Sequence, residues 1–411
     1  MQPSQRFDVV VVGGGQAGLA AGFHLAKRNI DFVILDAYPR VGEAWRKRWN
    51  ALRLFTPARL DGLPGMPFPA PPGSLPTKDE MAGYLERYVE QHKLRVRNGI
   101  RVEALSKEGD RYVLTAGDRR FEADQVIVAT GGHPTPRRPD FASGLDPDIV
   151  QLHSAEYRDP SQLQAGDVLV VGAGNSGAEI AMDAAQKHKV WLAGRPTGAV
   201  SPVLYSRPLW WTGNKLLTLK TRMGRNMAAM ARTRGTPLVR LREKDFATAG
   251  ITRVPRVEGV ESRMPRLADG RRLEVKNLVW CTGFKHDYSW IKLPAAAGGH
   301  IPAHERGVVI SQKGLYFVGL PFQFGPNSAL IDGVDRDADF VAARIAAART
   351  QNQTDGGVTM SDKTESAHET SKPCVCKVIK RSSLIWKATG RKNSDNLSEY
   401  QCKICGATAW R

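Results

Sequence analysis

The chain has 411 residues, 42% of them hydrophobic and 24% charged, and a formal net charge of +18. That length allows two or more buried cores, and the composition is that of an ordinary globular protein, which excludes a wholly disordered chain. The charge is concentrated: Arg195 to Arg272 holds 17 basic and 5 acidic residues, and the stretch after Thr350 holds 10 and 6. Such a field favours phosphorylated or otherwise anionic ligands, and no nucleic-acid motif accompanies it, so no specific nucleic acid is expected as partner. No apolar run reaches membrane-spanning length and the first strand starts within ten residues, leaving no space for a signal peptide; a cytoplasmic location is expected.

The first informative stretch is FDVVVVGGGQAGLA, Phe7 to Ala20. Val9 to Val12 reads as a buried parallel strand, and Gly13, Gly15 and Gly18 follow at GxGxxG spacing before an apolar helix, Leu19 to Lys27. The glycines suit a tight turn, close approach of a pyrophosphate and close helix packing. Asp36, closing the run Phe32 to Leu35, stands where an acid accepts ribose hydroxyls. Val41 to Pro76 is rich in Pro and Gly and carries Gly42, Trp45, Trp49, Phe55 and Phe68, a loop suited either to packing on a flat ring or to covering a sheet edge.

Thr77 to His92 reads as an amphipathic helix, with Met81, Tyr84, Leu85 and Tyr88 on its core face. Leu94 to Val96, Ile100 to Leu105 and Arg111 to Ala116 read as a small antiparallel layer, and Gln125 to Ala129 as a buried parallel strand running into a crossover at Thr130 and Gly131. The opening pattern then repeats 159 residues on. Asp167 to Val171 is a strand, and Gly172, Gly174 and Gly177 in GAGNSG precede the helix Ala178 to Gln186. After the next strand, Lys189 to Ala193, the position corresponding to the acid is occupied by Ala193, Gly194 and Arg195. A guanidinium there can pair with a 2′-phosphate that a carboxylate would repel, which favours NADP over NAD.

Residues 200–235 mix apolar and basic residues and read as an entrance lining, a weak contact with an anionic membrane surface, or a helix pair capping a domain. Leu273 to Trp280 is a strand leading to a second Thr-Gly crossover, Thr282 and Gly283. Gly314 to Leu320 is a further buried strand. Asn327 to Ile331 is expected to begin a helix reaching Ala348, whose free N–H groups can support negative charge on a flavin ring.

Taken together, the two glycine turns, the Gly42 to Trp45 block, the two crossovers and the closing strand and helix resemble the flavin-containing monooxygenase and Baeyer-Villiger group of FAD- and NADPH-dependent oxidoreductases, over about residues 7–348. The resemblance implies FAD at the first turn, with Gly13, Gly15, Gly18, Asp36, Gly42, Trp45, Thr130, Gly131, Asn327 and Ser328 as contacts. It implies NADPH at the second, with Gly172, Gly174, Asn175, Ser176, Gly177 and Arg195. The family oxygenates a small organic substrate through a flavin C4a-hydroperoxide made from oxygen, and no protein nucleophile is required. His153 and Tyr157 match the family's identifying stretch, whose Phe and Gly positions hold Pro147 and Ile149 here; Thr56 lies where many members place an Asn beside the flavin. These three are the candidates for direct involvement. An NADPH-dependent flavoprotein reductase or oxidase is the alternative enzyme, and a flavin-bound sensor or interaction protein the alternative class.

Residues beyond Thr350 turn polar, and four of the five cysteines follow as Cys374, Cys376, Cys402 and Cys405. Two close pairs suit a tetrahedral all-sulfur site, and Cys402-Lys-Ile-Cys405-Gly looks like a zinc-ribbon or rubredoxin knuckle; zinc is expected, with iron or free or disulfide-linked thiols as alternatives. The expected class is α/β, with two Rossmann-like dinucleotide-binding domains, the second inserted in the first, and a small metal-ribbon-like tail. The expected divisions are an FAD domain at 1–158 and 285–350, an NADP domain at 159–284, a linker at 351–371 and the four-cysteine zinc-ribbon-like module at 372–411.

Overall fold

The computed structural model describes residues 4–131, 135–233, 237–356, 386–392, 398–402 and 408–410. Two sheets organise the body of the chain. Five strands of the first run parallel: Val96–Arg97, Phe32–Leu35, Gln5–Val12, Arg119–Val128 and Leu315–Phe317, in that spatial order. Short antiparallel strands, His304–Glu305 and Val308–Val309, extend it beyond Leu315–Phe317. Val9 to Val11 are fully buried, as expected of a strand covered on both faces. Arg119–Val128 is longer than the sequence reading. Arg119 to Ala123 pair antiparallel with Arg111–Ala116 along one edge, and Phe121 to Val128 pair parallel with Gln5–Val12 along the other, so one strand serves both the small antiparallel layer and the central sheet.

The second sheet is wholly parallel, in the order Thr252–Val254, Val190–Ala193, Val168–Val171, Asn277–Trp280, Val150–His153. All its strands fall between Arg119–Val128 and Leu315–Phe317, which are neighbours in the first sheet, so the second Rossmann-like unit is inserted in the first. The outgoing and returning segments lie side by side: Thr135–Pro136 pairs antiparallel with Phe284–Lys285, and Arg137 N donates to Gly283 O at 2.9 Å. One buried cluster contains Val9 and Leu19 from the first unit with Val168 and Ile180 from the second, so both halves share a core.

Several expectations shift in detail. The helix after the aromatic loop spans Lys78–His92 and starts at a capping box in which Thr77 and Glu80 satisfy each other's backbone N–H groups. Trp49 and Phe68 do not form an open platform: both are buried, and Phe68 packs on Tyr84 with ring centroids 4.8 Å apart. The last long helix begins at Ile331, four residues after Asn327, and continues to Gly356, beyond Ala348 and into the stretch expected as linker. Among the described residues, no helix is long and apolar enough to cross a membrane.

Residues 354–411 form a separate unit. Past the end of the last long helix at Gly356, its described part is a three-stranded antiparallel sheet, Trp386–Lys392, Ser398–Cys402 and Thr408–Trp410. Cys402 ends the middle strand opposite Trp386. Cys374, Cys376 and Cys405 lie outside the described residues, and among those described there is no cluster of metal-ligating side chains.

Candidate functional site: two nucleotide turns and an aromatic cavity

The first glycine turn is held at both ends by backbone. Gly13 N donates to Leu35 O at 2.8 Å, and the helix Gln16–Ala26 follows with Gly15 as its cap residue and no side chain capping its first N–H groups. Those N–H groups and the positive end of the helix dipole form an anion site. A methyl group built on Gly15 would meet nothing within 4 Å, so the space over the helix end is open, and a pyrophosphate fits there. Asp36 stands beside it: Oδ2 accepts from Gly14 N at 2.5 Å and Oδ1 from Tyr38 N at 2.8 Å. Each oxygen keeps a lone pair for a ribose hydroxyl. Gly42 opens the single turn Glu43–Arg46, which carries the half-buried Trp45. Thr130 and Gly131 are exposed beyond the strand Arg119–Val128.

The second turn repeats this geometry. Gly172 N donates to Ala193 O at 2.9 Å, the helix Asn175–Ala184 starts after Gly174 without a side-chain cap, and the space beyond Gly174 is again open to 4 Å. Ser176 is half-buried in the first helical turn. Asn175 is engaged by the fold itself, because its amide donates to Pro237 O and accepts from Val239 N, each at 3.0 Å, fastening a loop over the turn. At the end of the next strand Arg195 is exposed and has no ion pair among the described residues. The sequence reading missed its neighbours. Buried Thr197 Oγ1 and Arg253 Nη1 find no hydrogen-bond partner among the described residues, while Arg253 Nη2 reaches Gly194 O at 3.4 Å. Unsatisfied donors of this kind suit an anion, and the pairing of Arg253 with this strand end needed the parallel strand Thr252–Val254 to be known.

His153 and Tyr157, expected as candidates for chemistry, are instead internal fastenings. His153 is fully buried, with Nε2 3.1 Å from Gly283 O and Nδ1 accepting from Ala155 N at 3.2 Å; burial lowers its pKa. Tyr157, also fully buried, donates to Asp183 Oδ2 at 2.8 Å, and burial followed by that carboxylate raises its pKa. Ser328 Oγ is likewise engaged, accepting from Phe324 N at 2.9 Å and Gly325 N at 3.0 Å, so it shapes the turn rather than facing a ligand.

Thr56 and Asn327 belong to a polar cluster next to a large cavity. That cavity, about 950 Å³, is lined by Trp210, Trp211 and Phe324 together with Asn327, Asp332 and Arg336. Asp332 Oδ2 accepts from Trp210 Nε1 at 2.7 Å and from Asn327 Nδ2 at 3.0 Å. Asp332 Oδ1 and Asn327 Oδ1 are buried without a partner among the described residues, two acceptors available to a ligand with N–H or O–H groups. Asp61, also unforeseen, is fully buried and accepts from Thr56 Oγ1 at 2.5 Å, leaving Oδ2 unpartnered among the described residues. Isolated acids in irregular loops carry no sequence signal for this.

The fold and the paired turns define a two-dinucleotide flavoprotein oxidoreductase. The chain belongs to the pyridine nucleotide-disulphide oxidoreductase family, whose pattern matches residues 10–319. It is 38% identical over 337 residues to an uncharacterised CzcO-like oxidoreductase of Geobacillus kaustophilus, covering 81% of this chain and 97% of that one. An indole-3-pyruvate monooxygenase of Oryza sativa is 35% identical over 178 residues, 42% of this chain and 44% of that protein. The structure of a flavin-containing monooxygenase from Stenotrophomonas maltophilia superposes with a TM-score of 0.70 at 28% identity, over 84% of this chain and 99% of that one. The expected α/β class and the flavin-monooxygenase-like resemblance therefore hold, and the chain is a flavin-dependent oxidoreductase. A redox dithiol plays no part in the body, where the sole cysteine before residue 374 is Cys281, whose thiol pKa is raised by burial.

Asp61 gives this region a pH signature. Burial pushes its pKa up to about 7, the Thr56 hydrogen bond pulls it back and the Asp332 charge adds to the rise. A folded-state pKa above the unfolded one means that the folded chain holds the proton more tightly. The resulting stabilisation is complete below the unfolded value, about 4, and is lost as pH rises through about 7. Thermal melts across that window should therefore show wild type losing stability relative to Asp61→Asn as pH rises. A difference that stays constant with pH would assign the titration elsewhere.

Proposed function

We propose that the chain is an FAD- and NADPH-dependent monooxygenase acting on a small organic substrate held in the cavity beside Trp210 and Asp332. The observation that carries the reading is a duplication with reversed charge. Two turns of matching geometry leave open space over Gly15 and Gly174, and the strands that follow them end in a carboxylate, Asp36, and a guanidinium, Arg195. Asp36 suits the unmodified ribose of FAD, and Arg195, with Thr197 and Arg253, suits the 2′-phosphate of NADPH. When bound, a flavin reduced by NADPH supplies the oxygen-transfer chemistry. The protein's own contribution is placement: the helix at Gln16 faces the pyrophosphate, and Trp210 and Phe324 keep the cavity apolar while Asn327 and Asp332 offer acceptors that orient a substrate.

The direct test is NADPH consumption by the FAD-loaded protein in air. A substrate that diverts consumed oxygen from hydrogen peroxide into an oxygenated product supports the reading. Electron delivery to a quinone, with no oxygenated product from any substrate tried, would replace it with the reductase reading.

Three outcomes follow from the residues named. Gly15→Val should fold, because the backbone there is extended and the added atoms enter open space, yet the purified variant should have lost its bound FAD; absorbance at the flavin band checks this. Stoichiometric FAD in that variant would remove the turn from the site. Arg195→Ala should weaken NADPH binding by roughly 1.5–3 kcal/mol, the worth of a charge-assisted hydrogen bond, and leave NADH almost unchanged. Titrating both nucleotides separates that from a general loss of fold. For the C-terminal unit the reading is a structural zinc held by Cys374, Cys376, Cys402 and Cys405, supported by their spacing in the sequence. Elemental analysis of the intact chain should find about one zinc per chain, and neither zinc nor iron would refute the site.

A further inference from the structure

Among the described residues ten large apolar side chains are exposed, and eight of them fall between Val203 and Met230. They cluster on and around two helices, Arg207–Leu216 and Arg222–Thr233. Scattered exposed apolar residues need no explanation, but this concentration does. The second helix shows how it arises. Met223, Met227 and Met230 recur at helical spacing along one stripe, and all three are exposed, at 63%, 39% and 51%. Among the described side chains of that helix, the buried positions are Gly224 and Ala228. A methyl group on Gly224 would lie 2.0 Å from Thr218 O, so the helix is seated by its small residues and the methionine stripe is directed outward. An ordinary surface helix does the reverse, burying its large apolar stripe.

The charge around this face is of one sign. Between Val200 and Leu241 the sequence contains no Asp or Glu, while Lys215, Lys220, Arg222 and Arg225 lie on or between the two helices. Lys215 lies 3.5 Å over the ring of Trp211, itself 62% exposed, which places a cation and an amphipathic ring together. A second copy of this face would bring like charges together. An anionic bilayer accepts all of it: methionine, leucine and tryptophan in the acyl boundary, lysine and arginine at the phosphate level.

We propose that the helix pair Arg207–Leu216 and Arg222–Thr233 is a peripheral docking surface for anionic lipid bilayers. The chain lies on the bilayer and does not span it. Trp211 and Lys215 also line the 950 Å³ cavity, so docking brings that cavity to the lipid surface. If the cavity is the substrate pocket, as the monooxygenase reading has it, a lipid-dissolved substrate gains a direct route; the docking itself does not depend on that reading.

Sedimentation of the full-length protein with vesicles tests it. Vesicles of phosphatidylcholine mixed with phosphatidylglycerol should carry the protein down, and vesicles of phosphatidylcholine alone should carry far less. Replacing three exposed side chains outside the cavity, in the combined variant Leu216→Gln, Met223→Gln, Met227→Gln, should cut binding on the order of tenfold or more while leaving FAD content unchanged. Arg222→Glu should weaken it about fivefold or more, and added salt should act in the same direction. No binding to the anionic vesicles overturns the proposal, as does equal binding to both kinds. A dimer that the triple variant abolishes, without vesicle binding, would assign the face to self-association. Lower melting temperature of that variant without vesicle binding would mean that the chain itself covers the face.

Discussion

The arrangement depends on backbone contacts that no side chain could allow. A methyl group on Gly13 would lie 2.4 Å from Ala129 O, and one on Gly18 would lie 1.8 Å from Gly13 O. The second unit repeats both contacts, with Gly172 at 2.3 Å from Cys281 O and Gly177 at 1.7 Å from Gly172 O. The turn therefore does two things at once. It presses the helix onto the strand, and it presses the strand's end onto the neighbouring strand that leaves the sheet. Because Ala129 and Cys281 open the two crossovers, each nucleotide turn is locked to the chain segment that joins the units. Gly15 and Gly174 are different: a side chain there would meet open space, so packing of the fold does not itself demand glycine at either position.

Electrostatics then separates two sites that the backbone makes alike. At the first, a carboxylate accepts two backbone N–H groups and is held rigidly at the strand end. At the second, an exposed guanidinium stands beside two unsatisfied donors. The same scaffold thus offers acceptors at one end and donors at the other, which is the minimum needed to keep two related nucleotides in their own places. Near the cavity a third environment appears, in which Asp61 and Asp332 are held in low-dielectric surroundings with spare lone pairs. Burial there opposes ionisation more strongly than the local hydrogen bonds favour it.

What could be read from the sequence was set by short-range physics. Buried valine runs, glycine spacing and the helical periodicity of Met81, Tyr84, Leu85 and Tyr88 are local, and each named its element within a few residues. The duplication was legible because the same local constraint occurs twice. Long-range pairings were not legible. Nothing near His153 announces that Gly283 will accept its ring nitrogen, or near Asn175 that Pro237 and Val239 will take its amide. Family resemblance made His153 a candidate for chemistry and Asn175 a nucleotide contact, but His153 is fully buried with both ring nitrogens engaged by backbone, and Asn175 spends one donor and one acceptor on a loop. Asp61, Asp332 and Arg253 were overlooked for the same reason, since their roles exist only once distant segments meet.

The helices between Val203 and Thr233 show a further limit, and a way past it. Apolar periodicity says that a helix is two-faced; it does not say which face is covered. Here residue size decides. The close approach at Gly224 can be made only by a face without side chains, so the contact with Thr218 fixes the rotation of the helix and leaves the methionines outside. Glycine thus plays opposite parts in one chain: at Gly18 and Gly177 it brings a helix onto a sheet to complete a core, and at Gly224 it turns a helix so that part of the apolar surface stays out of one.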